Sequence, residues 1–341
     1  MKKGLLLAGI ITWLAILVIM IAVIAVVLPR GGWGFLDNTV ALKEENISLF
    51  DIADIQIETD SYDIEFVSTG EPQMKVLQYG NKNTLEEELF TADTKVGSVK
   101  ISVKRLPKIF SMNLSFNERL VVEIPQNWLG DISVKVFSGD IRVNDAFTWQ
   151  NVSFSSSSGD LLIGRALYAE NLSLHVVSGD IQAREALTVT KKISAESSSG
   201  DIRLEAPITA RNIYAKALSG DIVLGEAAVE QFELQASSGD IKAAGLNGRG
   251  SVRVNSGDIH INLTELLDDV EVEAGSGDIR IDVDPSLSFE FTGRCSSGDI
   301  RANFPLHRNE RGNRANATVG TEPAVNISVE TTSGDININQ R

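Results

Sequence analysis

Residues 152–183 read VSFSSSSGDLLIGRALYAENLSLHVVSGDIQA, and this stretch holds more than one complete repeat of the chain. The tripeptide Ser-Gly-Asp ends one run of alternating apolar residues and begins the next. It occurs ten times, at intervals of 18 to 21 residues and a last interval of 36, starting at Ser138, Ser158, Ser178, Ser199, Ser219, Ser238, Ser256, Ser276, Ser297 and Ser333. A nearly constant period of about 20 residues predicts stacked supersecondary units.

Each repeat has apolar residues at every second position on both sides of its Ser-Gly-Asp. Leu172 and Leu174 alternate with polar residues before one tripeptide, and Ile141 and Val143 do so after another. Alternation of period two is typical of half-buried strands. Two such strands cannot bury their apolar faces alone, so coils must stack with like strands in parallel register about 4.8 Å apart. We therefore expect an all-β fold, a parallel β-solenoid or β-helix of about 20-residue coils.

The Gly and Asp of each tripeptide are predicted to form the turn between the two strands. Glycine adopts positive φ without steric cost, and Ser and Asp side chains can hydrogen-bond the local backbone. The predicted turn residues are Gly139, Asp140, Gly159, Asp160, Gly179, Asp180, Gly200, Asp201, Gly220, Asp221, Gly239, Asp240, Gly257, Asp258, Gly277, Asp278, Gly298, Asp299, Gly334 and Asp335.

The recurring aspartates would stand in a column along the stack, and a column of carboxylates could bind Ca²⁺. However, the residue two positions after Asp is often basic, as at Arg142, Arg203, Lys242, Arg280 and Arg301, with His260 partly so. A neighbouring cationic column would neutralise the carboxylates without metal. We therefore expect structural turn residues, with no metal site and no cofactor, and keep a cation site as the alternative.

The N-terminal residues have the composition of a membrane anchor. Residues 5–28 contain no charged residue, and at about 1.5 Å per residue such a helix would cross a hydrocarbon core about 30 Å thick. A cleaved signal peptide usually has a shorter apolar region. Lys2 and Lys3 precede the segment, so the positive-inside bias predicts a cytoplasmic N-terminus and an extracellular part from residue 31 to residue 341.

The remaining segments follow from the repeat. We expect a cytoplasmic tail at 1–4, a linker at 29–39, irregular N-terminal coils or a cap at 40–130, the regular solenoid at 131–302, a loop insertion at 303–322 and a final coil at 323–341. Residues 83–91 (NTLEEELFT) could form a short helix. The loop insertion holds Arg308, Arg311 and Arg314, a candidate partner-binding cluster in an otherwise acidic chain.

Composition excludes several classes of protein. The 341 residues have a net charge of −15, and residues after position 30 have 28 basic against 46 acidic groups, which argues against nucleic-acid binding. Three His and one Cys are too few for a zinc cluster. Cys295 falls where other coils have a small residue, so it is predicted to be a packing residue. No H-E-x-x-H or G-x-S-x-G motif occurs.

The stretch LVVEIPQNWLGDISVKVFSGDIRV at 120–143, followed by serial Ser-Gly-Asp-Ile turns, resembles the bacterial putative-adhesin family of domains of unknown function. The resemblance covers roughly 40–341. The anchor followed by an external repeat domain is also similar to the membrane-anchored protein of the Gram-positive cell-envelope-stress operon. The resemblance implies a non-catalytic envelope protein facing outward, and it carries no active-site residues.

The sequence thus favours a membrane-anchored extracellular binding or scaffold protein, acting in adhesion or in envelope-stress regulation. Its expected partners are the plasma membrane, through residues 5–28, and an envelope protein or wall polymer. The outer domain is expected to be monomeric. One alternative is a β-helix enzyme that cleaves wall or exopolysaccharide through paired carboxylates. Another is an assembly of solenoids stacked end to end.

Overall fold

The computed structural model describes residues 39–104 and 118–341, and in these ranges the chain forms a single sheet of 27 strands wound into a parallel β-solenoid. The predicted all-β fold and its parallel stacking are confirmed. The segment 5–28, predicted to span a membrane, lies outside the described residues. Among the residues that the structure does describe, no helix is both long and apolar enough for that task.

The regular coils stack in the order of the chain. Their strands are β8 (Asp131–Ser138), β9 (Ile141–Val143), β10 (Phe147–Thr148), β11 (Asn151–Ser158), β12 (Leu161–Ile163), β13 (Leu167–Ser178), β14 (Ile181–Ala183), β15 (Leu187–Ser199), β16 (Ile202–Leu204), β17 (Ile208–Ser219), β18 (Ile222–Ser238), β19 (Ile241–Ser256), β20 (Ile259–Ser276) and β21 (Ile279–Val283). Equivalent residues pair between coils, so that Ile141, Leu161 and Ile181 lie in one column.

Each coil has three sides, because the connection between the two predicted strands also contributes a short buried strand. In one coil the inward residues are Leu161 and Ile163, then Leu167 and Ala169, then Leu172 to Val176 in alternation. The coils place these side chains in one continuous core, in which Ile141, Ile202 and Ile279 are fully buried. At about 25 cal/mol per Å² of apolar area, this core is the main stabilising contribution.

The N-terminal end departs from chain order. Its strands are β1 (Thr39–Ser48), β2 (Ile52–Thr59), β3 (Asp63–Thr69), β4 (Gln73–Asn81), β5 (Thr91–Lys95), β6 (Gly97–Val103) and β7 (Arg119–Pro125). The coil of β2 and β3 lies between the coil of β8 and β9 and the coil of β6 and β7. Within 83–91, the predicted short helix is only one 3-10 turn at Glu86–Glu88.

The C-terminal end shows the same kind of exchange. Its strands are β22 (Phe289–Ser297), β23 (Ile300–Ala302), β24 (His307–Arg308), β25 (Arg314–Val319), β26 (Asn326–Ser333) and β27 (Ile336–Gln340). Strands β26 and β27 pair with β20 and β21 on one side and with β22 and β23 on the other. The last coil of the chain is therefore inserted beneath the coil that precedes it in sequence.

Antiparallel strands cover both ends of the stack. At the N-terminal end β4 pairs with β7, β1 pairs with β4 and β5 pairs with β6. At the C-terminal end β25 pairs with β22, and the short β24 pairs with β25. Unpaired terminal strands would offer an edge for association, and these strands cover the terminal parallel coils instead.

Candidate functional site: the aspartate ladder and the basic cavity

The turn glycines lie in a column where no side chain fits. Their φ angles range from +133° to +146°, a region that L-residues with a side chain rarely adopt. A methyl group added at Gly200 would lie 2.1 Å from the carbonyl oxygen of Gly179. Glycine is therefore required both by the backbone conformation and by the close approach of neighbouring coils.

The turn aspartates are joined by hydrogen bonds that run the length of the stack. In each coil the Asp backbone N–H donates to the Oδ1 atom of the Asp in the preceding coil, at 2.8–2.9 Å. We call this column the aspartate ladder. It begins at Asp63, in the turn DSYDI at 60–64, which lacks the Ser-Gly-Asp tripeptide. At the other end it passes from Asp278 through Asp335 to Asp299, following the spatial order of the coils.

The Oδ2 atoms of several ladder aspartates bind the neighbouring cations. Arg142 Nη2 donates to Asp140 at 2.5 Å, Arg203 Nη2 to Asp201 at 2.5 Å, and Lys242 Nζ to Asp240 at 3.0 Å. Arg301 lies between Asp299 and Asp335, at 2.6 and 2.7 Å. His260 and Arg280 instead approach Asp282, which is outside the ladder.

These contacts favour the ionised carboxylates. The backbone N–H of Asp221 is the main reason that the pKa of Asp201 lies below its usual value, and Arg203 lowers it further. The N–H of Asp258 and the ammonium of Lys242 lower the pKa of Asp240 in the same way. A carboxylate that accepts backbone N–H groups and faces a cation is held in its charged form.

The hydrogen bonds of the aspartate ladder explain why aspartate recurs in the turns. One oxygen of each linked carboxylate is occupied by a backbone N–H, and the second is often occupied by Arg or Lys. Across 39–104 and 118–341, no group of three or more His, Cys, Asp or Glu residues converges as a metal site would require. The geometry thus fits turn stabilisation better than the alternative of cation binding.

Cys295 belongs to an inward column beside the glycine turns. Its side chain is fully buried, and its Sγ atom lies 3.1 Å from the carbonyl oxygen of Gly298. In the same column Ser156 and Ser197 donate their hydroxyl groups to the carbonyl oxygens of Gly139 and Gly179. Burial raises the pKa of the Cys295 thiol, which disfavours the reactive thiolate.

A basic cavity of about 540 Å³ lies at the C-terminal end, between β22, β24 and β25. Arg294, His307, Arg308 and Arg314 line it together with Asn309 and Asn316. No carboxylate is among the described residues that line it. Three arginines and a histidine therefore line one cavity in a chain whose net charge is −15.

Two contacts position the side chains of this cavity. Arg308 Nη2 donates to the carbonyl oxygen of Ile300 at 2.6 Å, which fixes one edge of its guanidinium. Arg294 lies 3.7 Å from Glu330, and since both are about half exposed this ion pair contributes little. Guanidinium groups bind phosphate or carboxylate oxygens through paired N–H donors, so the cavity suits an anionic group.

The structure brings together two of the three arginines singled out in the sequence. Arg308 and Arg314 line the cavity, whereas Arg311 is exposed in the turn and does not. Arg294 and His307 were missed by the sequence reasoning. Only the antiparallel pairing of β22 with β25 and of β25 with β24 joins them to the others, and the repeat pattern contains no signal for that pairing.

The stacked three-sided coils and their glycine turns define the class as a parallel β-solenoid. The family model described as Toastrack DUF4097 matches residues 52–188 and 169–339, and the chain belongs to this family. No curated protein matches the chain.

Several solved structures resemble the fold at low sequence identity. A putative adhesin from Bacteroides fragilis is 13% identical with a TM-score of 0.37, covering 88% of this chain and 96% of that one. A putative adhesin from Parabacteroides merdae is 13% identical with a TM-score of 0.42, at 86% and 95% coverage. A putative lipid binding protein from Parabacteroides distasonis is 13% identical with a TM-score of 0.39, at 88% and 96% coverage.

Proposed function

We propose that this protein is a non-catalytic binding or scaffold protein of the cell envelope. In this proposal residues 5–28 anchor it in the plasma membrane, the N-terminus is cytoplasmic, and residues 31–341 form the extracellular part. Its role lies in adhesion or in the regulation of envelope stress, in line with the resemblance to the anchored protein of an envelope-stress operon. The observation that carries the binding role is the basic cavity formed by Arg294, His307, Arg308 and Arg314.

The position of the cavity supports this role. The described chain begins with β1 at one end of the stack, and the cavity lies at the opposite end. About eleven steps of about 4.8 Å separate the terminal parallel coils, so the cavity lies roughly 50 Å from the N-terminal end. An N-terminal anchor at the other end of the stack would leave the cavity free to bind an anionic group of an envelope protein or wall polymer.

Crosslinking in intact cells tests this proposal. A photoreactive residue replaces Asn316 at the cavity, and a matched one replaces Thr209 on another side of the solenoid. We expect capture of a specific envelope partner at position 316 and not at position 209. The change Arg314→Gln should reduce that capture several-fold while the thermal midpoint stays unchanged.

Two results would contradict the proposal. Capture that is equal at both positions would exclude the cavity as the binding site. Release of reducing sugars from wall polymer by the purified protein, lost in an Asp→Asn variant, would favour the alternative of a polysaccharide-cleaving enzyme.

A further inference from the structure

Apolar side chains are exposed on alternate coils of one face of the solenoid. We define the front face as the outward side chains of the strands that precede the turns. In its column next to the turns, Phe137, Val177 and Leu218 are 70%, 45% and 45% exposed. Serines occupy the coils between and beyond them: Ser157, Ser198 and Ser237. Six successive coils thus alternate a large apolar residue with a small one.

This alternation is self-complementary. Consider two copies packed front face to front face and related by a two-fold axis that runs parallel to the strands. The coils of the second copy then run in the reverse order, and each column of one copy faces the same column of the other. With the axis between the coils of Val177 and Ser198, every large residue meets a serine of the second copy. Phe137 then faces Ser237, Val177 faces Ser198, and Leu218 faces Ser157. We propose that the front face binds a second copy of this chain in this antiparallel arrangement.

The same axis position, chosen from the apolar residues alone, also brings opposite charges together. The strand register places Asp54 and Glu58 one coil beyond Phe137, and Arg249 and Arg253 one coil beyond Ser237. The axis therefore brings Asp54 opposite Arg249, and Glu58 opposite Arg253, of the second copy.

Two further pairs of opposite charge follow from the register. Lys100 pairs with Gln56 at one end of the neighbouring column, and Glu271 pairs with Ser251 at its other end. The axis therefore also brings Lys100 opposite Glu271 of the second copy. Beside the axis, His175 faces Glu196 of the second copy. Among the described front-face residues of these coils, the axis opposes no two side chains of like charge, which lowers the cost of association.

Two front faces could also pack with the two-fold axis along the stack, but in that arrangement the apolar residues do not face serines. A two-fold axis along the stack would superpose each coil on itself and reverse the columns. Phe137 would then face Asp131, Val177 would face Asn171, and Leu218 would face Asn212. Apolar side chains would be buried against polar groups, which is unfavourable unless those groups find other partners. The antiparallel arrangement is therefore the one that we propose.

The front face is large enough for a stable dimer. Ten coils from β6 to β20 span about 43 Å along the stack, and four outward residues span roughly 25 Å along each strand. The resulting contact is roughly 1,000 Å² per copy, whereas specific interfaces bury about 800 Å² per partner. The intervening serines leave the space into which Phe137, Val177 and Leu218 would pack.

The mass of the full-length protein in detergent tests whether it dimerises. We expect a two-chain complex whose dissociation constant rises at least about tenfold in Val177→Asp, because each dimer would bury two unpaired carboxylates. Leu267→Asp is the matched control, since Leu267 is 55% exposed but lies outside the front face. A monomer at every concentration, or an equal effect of both variants, would overturn the proposal.

Thiol crosslinking tests the antiparallel register. Lys135 faces Gln235 of the second copy, whereas within one chain five coils, about 24 Å, separate these residues. A mixture of Lys135→Cys and Gln235→Cys should form crosslinked dimers with a short bis-maleimide, and neither variant should do so alone. The native Cys295 is buried and stays unreactive. Crosslinking of each variant with itself, or none in the mixture, would refute the antiparallel register.

Discussion

At the scale of single residues, the turn requires glycine for two reasons, and both exclude a Cβ atom. The φ of Gly200 is +133°, and the carbonyl oxygen of Gly179 occupies the place of the missing methyl group. The adjacent aspartates add a hydrogen bond between coils without entering the core. One tripeptide therefore sets both the backbone conformation of the turn and the register of the stack.

The change Gly200→Ala should lower the free energy of unfolding by about 3 kcal/mol or more, since it combines backbone strain with a clash against backbone. Chemical denaturation measures this loss. Gly70→Ala is the control, because nothing lies within 4 Å of the added methyl group there. Equal losses in the two variants would show that the close approach of the coils is not what requires glycine.

Acid should destabilise the solenoid through the ladder. Because folding lowers the pKa of Asp201, its ionised form contributes stability that is complete above the unfolded pKa of about 3.9 and is lost as the pH falls through the folded pKa. Asp201→Asn keeps the acceptor oxygen but cannot titrate. Urea unfolding at pH 6 and pH 3 should therefore show a smaller loss in this variant than in the wild type.

The control for the pH experiment is Glu230→Gln. Glu230 forms an exposed ion pair with Arg211 outside the ladder. Its removal should leave the difference between pH 6 and pH 3 as in the wild type. A pH dependence of Asp201→Asn that matches the wild type would argue against the ladder as the acid-sensitive element.

At the scale of elements, the insertion of β26 and β27 ties the C-terminal end to the regular coils. Strand β22 reaches β20 only through β26, and β23 reaches β21 only through β27. The basic cavity lies on β22, β24 and β25. These strands are connected to the regular coils through β26 and β27, which form the most C-terminal coil of the chain. Stability of the cavity therefore depends on residues that do not line it.

The change Ile336→Asp tests this dependence. Ile336 is fully buried in β27, and an unpaired carboxylate there should detach the inserted coil. We expect faster amide hydrogen exchange in β26, β27 and also β22, with β11 to β16 unchanged. The control Asn337→Asp changes the adjacent outward residue and should leave exchange as in the wild type. Unchanged exchange in β22 would show that the terminal coil is stable without its inserted neighbour.

At the scale of the whole molecule, the solenoid is a one-dimensional stack in which each coil contacts only its neighbours. Its core is continuous from the N-terminal to the C-terminal cap. Substitutions in adjacent coils should therefore be coupled, and those in distant coils should not. The same geometry makes the faces long and regular, which is what the proposed dimer uses.

Double-mutant cycles measure this coupling. Ile141→Val and Ile279→Val should each cost about 0.5–1.5 kcal/mol and should add, since roughly 34 Å separates them. Ile202 and Ile222 are paired neighbours, so their two valine substitutions should depart from additivity by about 0.5 kcal/mol. Equal coupling in both pairs, measured by urea denaturation, would contradict nearest-neighbour stability.

The sequence alone determined the repeating unit of this protein. Alternation of period two and the recurrence of Ser-Gly-Asp predict strands, turns and parallel stacking, because each is a local pattern with a local physical cause. The turn at 60–64 lacks the tripeptide, and only the structure shows that its Asp63 begins the ladder. The third strand of each coil was missed because stretches such as 147–149 are too short to show a period.

Only the tertiary structure decided the order of the terminal coils, the basic cavity and the opposed columns of the front face. Strands β26 and β27 could pair with similar parallel strands at more than one place in the stack. The order of the chain does not show which of these pairings has the lower free energy. Arg294 meets Arg314 because β22 and β25 are antiparallel partners. Which side chains share a surface depends on register across coils, and register is a property of the folded stack.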